Sequence, residues 1–439
     1  MTRPDLISIR DPIHGAIGVT PRELGIVETR AFQRLRTIKQ LGFADHAFPG
    51  ATHTRFAHAL GAMEMAARMF DAIFEGTALP APDRARLRQA LRLAVLLHDI
   101  GHAPLSHATE RCMPPLRHLG LAELTGAKLA DRQARHEDYT VKLLLDSHLS
   151  EALRRTFADD GIDPEDVARL VGGRQLLPER ADRFVVGGVD YGPLLGQLVS
   201  GELDADRMDY LRRDSYYAGV SYGIFDEQWL LSNLCLHEVD GRAFLALRHR
   251  AIFAFEDFLL SRYHMFVSVY YHHTPVGFDT MLSRFIDEEP DVFVLPADSE
   301  QYIALDDVSF WMLLRGSRSR WAQRIVHRQP YRRVVELNAD EALLELPGVR
   351  RALDAEGIDY FIARDEGVLS RYFGAAEKLD PIYIVNSTLG QATRVESYSK
   401  LFQRYHQPTR LARLYCQPKQ ISAARECLRS CIPKQFDLF

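Results

Sequence analysis

Apolar residues recur at intervals of three along Phe32, Leu35, Ile38 and Leu41, a spacing that predicts one buried stripe on a helical segment. The same texture continues through 54–75, 83–99 and 136–149, and the two prolines of the loop ALPAPD (78–83) part the first two of these helices. Ahead of them, residues 8–20 read as a short extended or turn segment. Residues 235–239 and 243–247 alternate across Asp240-Gly241, a hairpin signal, and a long helix is predicted from about 251 to 272. Beyond 290 the elements shorten, with strands predicted at 331–336, 358–362, 381–385 and 411–416, helices between them and a last helix near 418–431. The pattern is that of a mainly α-helical body over 1–290 and a smaller C-terminal α/β lobe over 291–439, without internal repeats.

A chain of 439 residues, 46% hydrophobic and 26% charged, buries a substantial core without disulfide or metal staples. Its net charge of −5 and pI of about 6.4 exclude a global positive field, so a polyanion has to be gripped locally. The arginine clusters Arg34/Arg36, Arg207/Arg212/Arg213 and Arg315/Arg318/Arg320/Arg324 read as solvated helix faces. The five cysteines are far apart and form no CxxC pair, which argues against a disulfide framework or a zinc knuckle and fits a reducing compartment. The opening MTRPDLISIRDPIHG has no apolar signal core, and no run of about 18 apolar residues occurs, so the expectation is a cytoplasmic protein with no membrane partner.

The segment LLHDIGHAPLSH (96–107) changes the picture. It sets three histidines and one aspartate directly after the apolar run LRLAV (91–95). A lone histidine is more often a satisfied core or surface residue than a ligand. A set is different: His58 lies in HTRFAHALG, His98 and Asp99 end an apolar helix, and Asp206 sits in GELDADRMDYL. Imidazole nitrogens with carboxylate oxygens suit a divalent ion such as Mn, Fe, Zn or Mg. Neighbours on a helix project about 100° apart, which lets His98 and Asp99 grip one ion from two sides. Gly101 and Pro104 are expected to end that helix, so that His102 and His107 turn toward the same pocket. An ion held by four ligands keeps positions for water and a substrate oxygen, and nearby imidazoles carry protons, so the expected chemistry is metal-assisted hydrolysis of a phosphate ester.

Two helical faces fit this reading. Asp206, Tyr210 and Asp214 are spaced i, i+4, i+8, and Arg262 and Tyr270 are eight apart. Arginine offers bidentate donors to phosphate and tyrosine a stacking plane with a hydroxyl, although on spacing alone Tyr210 and Tyr270 read first as core packing. The chain contains no GxxxxGK[ST], GxGxxG or HExxH, which leaves P-loop, Rossmann and zincin chemistry without support.

On the blocks DPIHG (11–15), FQRLRTIKQLG (32–42), FPGATHTRFAHALG (48–61), LLHDIGHAPLSH (96–107), RHED (135–138) and LDADRMDYLRRDSYYAG (203–219), the chain resembles the HD-domain phosphohydrolases. The resembling branch contains bacterial deoxynucleoside triphosphate triphosphohydrolases and the animal dNTPase that carries a sterile-alpha-motif domain. The likeness covers about 1–290.

This resemblance implies metal ligands His58, His98, Asp99 and Asp206, with further Mg on the substrate phosphates. It implies that Arg55 clamps the phosphates beside His102 and His107, with His136 as proton-transfer partner. Gln40 and Leu41 would line the sugar, and Arg207, Tyr210, Asp214, Arg262 and Tyr270 would complete the sugar and phosphate contacts. The implied reaction converts a dNTP to deoxynucleoside and tripolyphosphate. Some members are homo-oligomers, dimers or tetramers, switched on by a nucleotide activator. Glu28, Gln33 and Arg36 stand at the matching activator positions, with Glu where the animal relative has Asp. Phe266 stands where that relative has a histidine.

Other readings use the same residues: another HD-type nucleotide phosphohydrolase or phosphodiesterase, or a non-catalytic nucleotide sensor or nucleic-acid-binding protein on the same fold. The final QFDLF resembles the peptide by which bacterial proteins dock on the DNA polymerase sliding clamp, through Gln435, Leu438 and Phe439; a tail packed on its own lobe is the plainer reading.

Overall fold

The helix Arg55–Ile73 is buried on nearly every side: Phe56, Leu60, Met63 and Phe70 fill one face, and His58, Gly61 and Met65 are buried on the opposite one. The helices Ala81–Leu97 and Ala205–Ala218 pack directly against it. In this computed structural model the described residues are 6–121, 131–173, 176–338, 347–367, 380–386, 388, 390–401 and 409–431. The QFDLF tail lies outside them.

Local signals set the ends of the helices that matter for the site. Asp204 caps Ala205–Ala218 by accepting the Arg207 backbone N–H at 2.7 Å, and Gly219, at φ 70°, closes it in the left-handed region. Asp138 returns to the Arg135 backbone N–H at 2.8 Å and starts the helix His136–Leu145. The stripe at threes proves to be a short helix, Arg30–Gln33, running into a 3₁₀ turn, Arg34–Thr37, with Ile38 extended. Three residues per turn is the 3₁₀ period, which is why Phe32, Leu35 and Ile38 are all fully buried.

The chain is mainly helical, with small sheets. Ile7–Asp11 and Gly15–Val19 pair as an antiparallel hairpin where an extended or turn segment was expected. Leu234–Val239 and Arg242–Arg248 form the second hairpin, turning at Asp240 and Gly241 with both φ positive, 52° and 70°. Tyr383–Asn386 adds to Arg242–Arg248 in parallel, bringing a late strand onto the body. Separately, Thr409–Cys416 is the middle strand of an antiparallel sheet with Arg332–Asn338 and Tyr360–Gly367. This sheet shares an apolar cluster with the helices Pro347–Ala355 and Ile421–Cys431. Residues from 293 to 325, including Phe293, Tyr302, Phe310 and Trp321, belong instead to the large core of the helical body.

The reading of all three arginine clusters as solvated faces is corrected. Arg315, Arg318 and Arg320 are exposed, but Arg34, Arg207 and Arg213 are buried. Each reaches partners that satisfy it: Arg34 donates to the carbonyls of Leu305, Ile100 and His102, Arg207 pairs with Asp204, and Arg213 pairs with Asp209 and Asp11. Periodicity cannot reveal a carboxylate or carbonyl brought in from another segment. No helix among the described residues is long and apolar enough to cross a membrane.

Candidate metal centre and substrate cleft

Two imidazoles, His58 buried and His98 half-buried, aim one nitrogen each at the same carboxylate. His58, on the first turn of Arg55–Ile73, has Nε2 3.0 Å from Asp206 Oδ1, and His98 Nε2 is 3.4 Å from the same oxygen. Asp99 lies alongside, 3.7 Å from His58 Nε2 through Oδ2 and 3.3 Å from His98 Nε2 through Oδ1. The opposite nitrogens are committed. His98 Nδ1 donates to the Val95 carbonyl at 2.6 Å, and His58 Nδ1 donates to Asp209 Oδ2 at 2.8 Å. With Nδ1 so committed, each ring turns Nε2 inward, and both of these buried atoms lack a hydrogen-bond partner.

Those orphaned nitrogens, with two carboxylates beside them, fit a divalent cation of the borderline to hard kind. Ligand atoms of His58, His98 and Asp206 all lie within 4.8 Å of one another. His58 is sealed from solvent, whereas the Asp206 side chain is 31% exposed, so the centre opens on the Asp206 side.

The local field is negative. Burial disfavours imidazolium, but Asp206 and Asp209 outweigh it and lift His58 to about 10. The same contest, with Asp99 and Asp206 as the anions, lifts His98 to about 8. Burial would raise Asp206, yet the two histidines hold it well below the ordinary carboxylate range. The anionic side chains thus favour positive charge at this point.

One expectation about this segment is corrected. The helix ends at Leu97, so His98 is its C-terminal cap and Asp99 lies in the following turn rather than on the helix. Gly101 serves close packing: a Cβ there would meet the His136 carbonyl at 2.1 Å and the Thr140 nitrogen at 2.3 Å. The chain then passes through Leu105 and Ser106, both at φ 57°, a conformation held by Asp307, which accepts the Leu105 N–H at 2.7 Å.

Beside the centre stand three further histidines. His102 and His136 stack with ring centroids 3.9 Å apart, and His107 meets them edge-on at 4.9 and 5.2 Å. Burial, Arg55 and His136 hold His102 well below the usual imidazole range, so it is neutral at pH 7. His136 Nδ1 lies 2.9 Å from Glu110 Oε1 and His107 Nδ1 3.2 Å from Glu110 Oε2. The His107 side chain is 66% exposed, placing it at the rim. Arg55 is buried, donates to Ser106 Oγ at 2.8 Å and pairs with Asp99.

The wall expected from Asp206, Tyr210 and Asp214 forms. The Tyr210 ring is 6.5 Å from His58 and 6.2 Å from Tyr270, and the Tyr270 hydroxyl donates to Asp214 Oδ2 at 2.7 Å. Tyr270 ends a π-helical stretch, Phe266–Tyr270, in the run predicted as a regular helix. The other Asp214 oxygen meets His53 Nε2 at 2.7 Å. The Gln40 backbone N–H donates to the His53 carbonyl at 3.0 Å, which sets Gln40 beside the residue that meets Asp214. Gln40 Oε1 and His53 Nδ1 are buried without a hydrogen-bond partner. Arg207 is engaged with Asp204, and Arg262 approaches Glu202 at 3.4 Å.

Glu28, Gln33 and Arg36 line a separate cleft of about 610 Å³ with Arg10, Asp11 and Tyr217. Arg36 stacks 3.6 Å over the Phe56 ring and donates to Gln33 at 2.7 Å. Sequence reasoning missed Asp209, His14, His53 and Glu110. His14 and His53 stand inside quoted blocks, and Glu110 and Asp209 follow His107 and Asp206 by one helical turn, the signal that could have found them.

A helical core that presents two histidines and two carboxylates at one point defines an HD-type centre, the class of metal-dependent phosphohydrolases. The family models agree: residues 55–214 match the HD domain and residues 225–372 the HD associated region. The chain belongs to the HD-domain family, on a dNTPase-like branch. Its curated relatives include uncharacterized protein YwfO from Bacillus subtilis, 34% identical over 63% of this chain and 54% of that protein. Deoxynucleoside triphosphate triphosphohydrolase SAMHD1 from Homo sapiens is 28% identical over 70% of this chain and 49% of its own length. The alignments thus span about half the length of these relatives. A crystal structure of a hypothetical protein from Aquifex aeolicus superposes with a TM-score of 0.73 at 26% identity, covering 96% of this chain and 100% of that one.

Proposed function

We propose that this protein hydrolyses deoxynucleoside triphosphates to deoxynucleoside and tripolyphosphate. The observation that carries the reading is the pair of buried, partnerless Nε2 atoms of His58 and His98, aimed with Asp99 and Asp206 at one point beside three more imidazoles. Those four residues would hold one divalent cation, Mn, Fe, Zn or Mg, which when bound supplies Lewis acidity and lowers the pKa of water.

The chain's own residues do the rest. Arg55 would exchange its bond to Asp99 for phosphate oxygens, and neutral His102, with His107 at the rim, would donate to the triphosphate, which further Mg would accompany. The bond broken joins the α-phosphorus to O5′. The attacking oxygen ends on tripolyphosphate, and His136, oriented by Glu110, would deliver a proton to O5′. Gln40, Leu41, Tyr210, Asp214 and Tyr270 would seat the deoxyribose, with Arg207 and Arg262 supporting the phosphate side. The cleft of Glu28, Gln33 and Arg36 would take a nucleotide activator in a cytoplasmic homo-oligomer, with its polar rim and stacked arginine in support.

The test is product identification. Purified protein incubated with Mn²⁺ or Mg²⁺ and each dNTP, singly and mixed, should yield deoxynucleoside and tripolyphosphate in equal amounts. Orthophosphate, pyrophosphate or no product under every mixture would overturn the reading.

A further inference from the structure

Asp209 lies outside the ligand set, yet it is fully buried between that set and a second group of charges. Its Oδ2 accepts from His58 Nδ1 at 2.8 Å and from Arg213 Nε at 2.8 Å, while Oδ1 meets His14 Nε2 at 2.6 Å and Arg213 Nη2 at 2.9 Å. Arg213 continues to Asp11 at 2.8 and 3.2 Å, and Asp11 lines the cleft of Glu28, Gln33 and Arg36.

A second, steric observation points the same way. Gly61 follows His58 by one turn of the same helix, and a Cβ on it would fall 2.1 Å from Asp209 Oδ1 and 2.2 Å from Arg213 Nη2. Glycine weakens a helix interior, so its presence here is explained by the room the buried pair needs.

We infer that Asp209 is the positioning residue for His58. Its carboxylate fixes the tautomer and ring plane that aim Nε2 at the cation, Arg213 and Gly61 hold the carboxylate in place, and Asp11 extends the same unit to the neighbouring cleft. A neutral group of equal shape would keep a hydrogen bond but lose the charge that makes the ligand nitrogen basic. This inference rests on the metal centre proposed above.

The test reads binding of Mn²⁺ alone to the full chain, with free ion counted by electron paramagnetic resonance, and the visible absorption of the Co²⁺-loaded protein. Asp209→Asn is expected to weaken Mn²⁺ binding about 10- to 100-fold and to change the Co²⁺ bands. Glu23→Gln breaks an equally buried ion pair whose partners are outside the site, and should leave both readouts at parental values. Parental Mn²⁺ affinity and Co²⁺ spectrum in Asp209→Asn overturn the inference. If that variant does not fold, Arg213→Lys, which keeps the charge but loses the two-pronged grip, is read instead: binding about threefold weaker or more supports the inference and parental binding overturns it. A parent chain that binds neither Mn²⁺ nor Zn²⁺ overturns the metal centre itself.

Discussion

Glu110 Oε1 takes both the side chain and the backbone of His136, with Nδ1 at 2.9 Å and the main-chain N–H at 3.0 Å. Burial would raise this carboxyl, but His107 and His136 hold it well below the ordinary range, so Glu110 is an anion wherever the protein is folded near neutrality. An anion fixed on Nδ1 holds the ring in one orientation and leaves Nε2 of His136 as the nitrogen that takes up and passes on a proton. Glu110→Gln should therefore lower the hydrolysis rate by about 10²-fold with metal content unchanged, the usual scale for a misplaced general acid. Parallel steady-state kinetics and metal analysis of one preparation check it. A raised KM with intact kcat would assign Glu110 to binding instead.

Removing Asp206 leaves two imidazoles facing each other across 5.4 Å with no anion between them except Asp99. Asp206→Ala is expected to purify with less than about a tenth of the parental metal, since a lost carboxylate ligand or its partners costs one to two orders of magnitude in affinity. Dialysis against a chelator should likewise abolish hydrolysis in the parent, and added Mn²⁺ should restore it there but not in the variant. Full metal content in Asp206→Ala would remove this residue from the ligand set.

The Tyr270 phenol is half-buried, and its desolvation together with Asp214 holds it well above its ordinary value, so it is a permanent donor. Asp214 keeps His53 as a second partner when Tyr270 is changed. Tyr270→Phe thus removes one hydrogen bond, about 1 kcal/mol, without stripping the carboxylate. KM for a dNTP should rise about five- to tenfold with kcat within a factor of two, as expected for an interaction made equally in ground and transition states. A fall in kcat at unchanged KM would place Tyr270 in the chemical step.

Local signals were legible and non-local ones were not. The Asp240-Gly241 hairpin could be read because its turn needs two positive φ values, which that dipeptide tolerates. The helix spans 54–75 and 83–99 announced themselves through apolar periodicity. Nothing in the pattern revealed that Tyr383–Asn386 would pair with Arg242–Arg248, more than a hundred residues earlier, or that the run ending at Tyr270 would widen into a π-turn. In the site, the residue types demanded by metal chemistry singled out His58, His98, Asp99 and Asp206, and the fold brings them together. Asp209 escaped notice because its function depends on burial, and Arg213 was misread for the same reason. A charge on a polar helix looks solvated until its partner arrives from elsewhere in the chain.

The first helix offers a test of stability against pH. Glu23 is fully buried and accepts from Arg92 Nε at 2.6 Å and Nη2 at 2.9 Å, from Gln89 at 2.9 Å and from the Thr20 backbone at 2.9 Å. Burial favours the protonated form, but these donors win and the folded-state value lies below the ordinary 4.5. The unfolded chain therefore binds this proton more readily than the folded one, so the stability it contributes is complete above about pH 4.5 and is lost as pH falls through the lower folded value. Glu23→Gln should cost about 3–5 kcal/mol at pH 7, because it leaves Arg92 buried beside a neutral amide. Below pH 4.5 the gap between parent and variant should narrow, since the unfolded parent takes up a proton there that the folded one resists. Urea unfolding of both proteins across that range checks the sign. A gap that stays constant to pH 3 would mean that Glu23 does not titrate on unfolding, and that the acid limb belongs to other carboxylates.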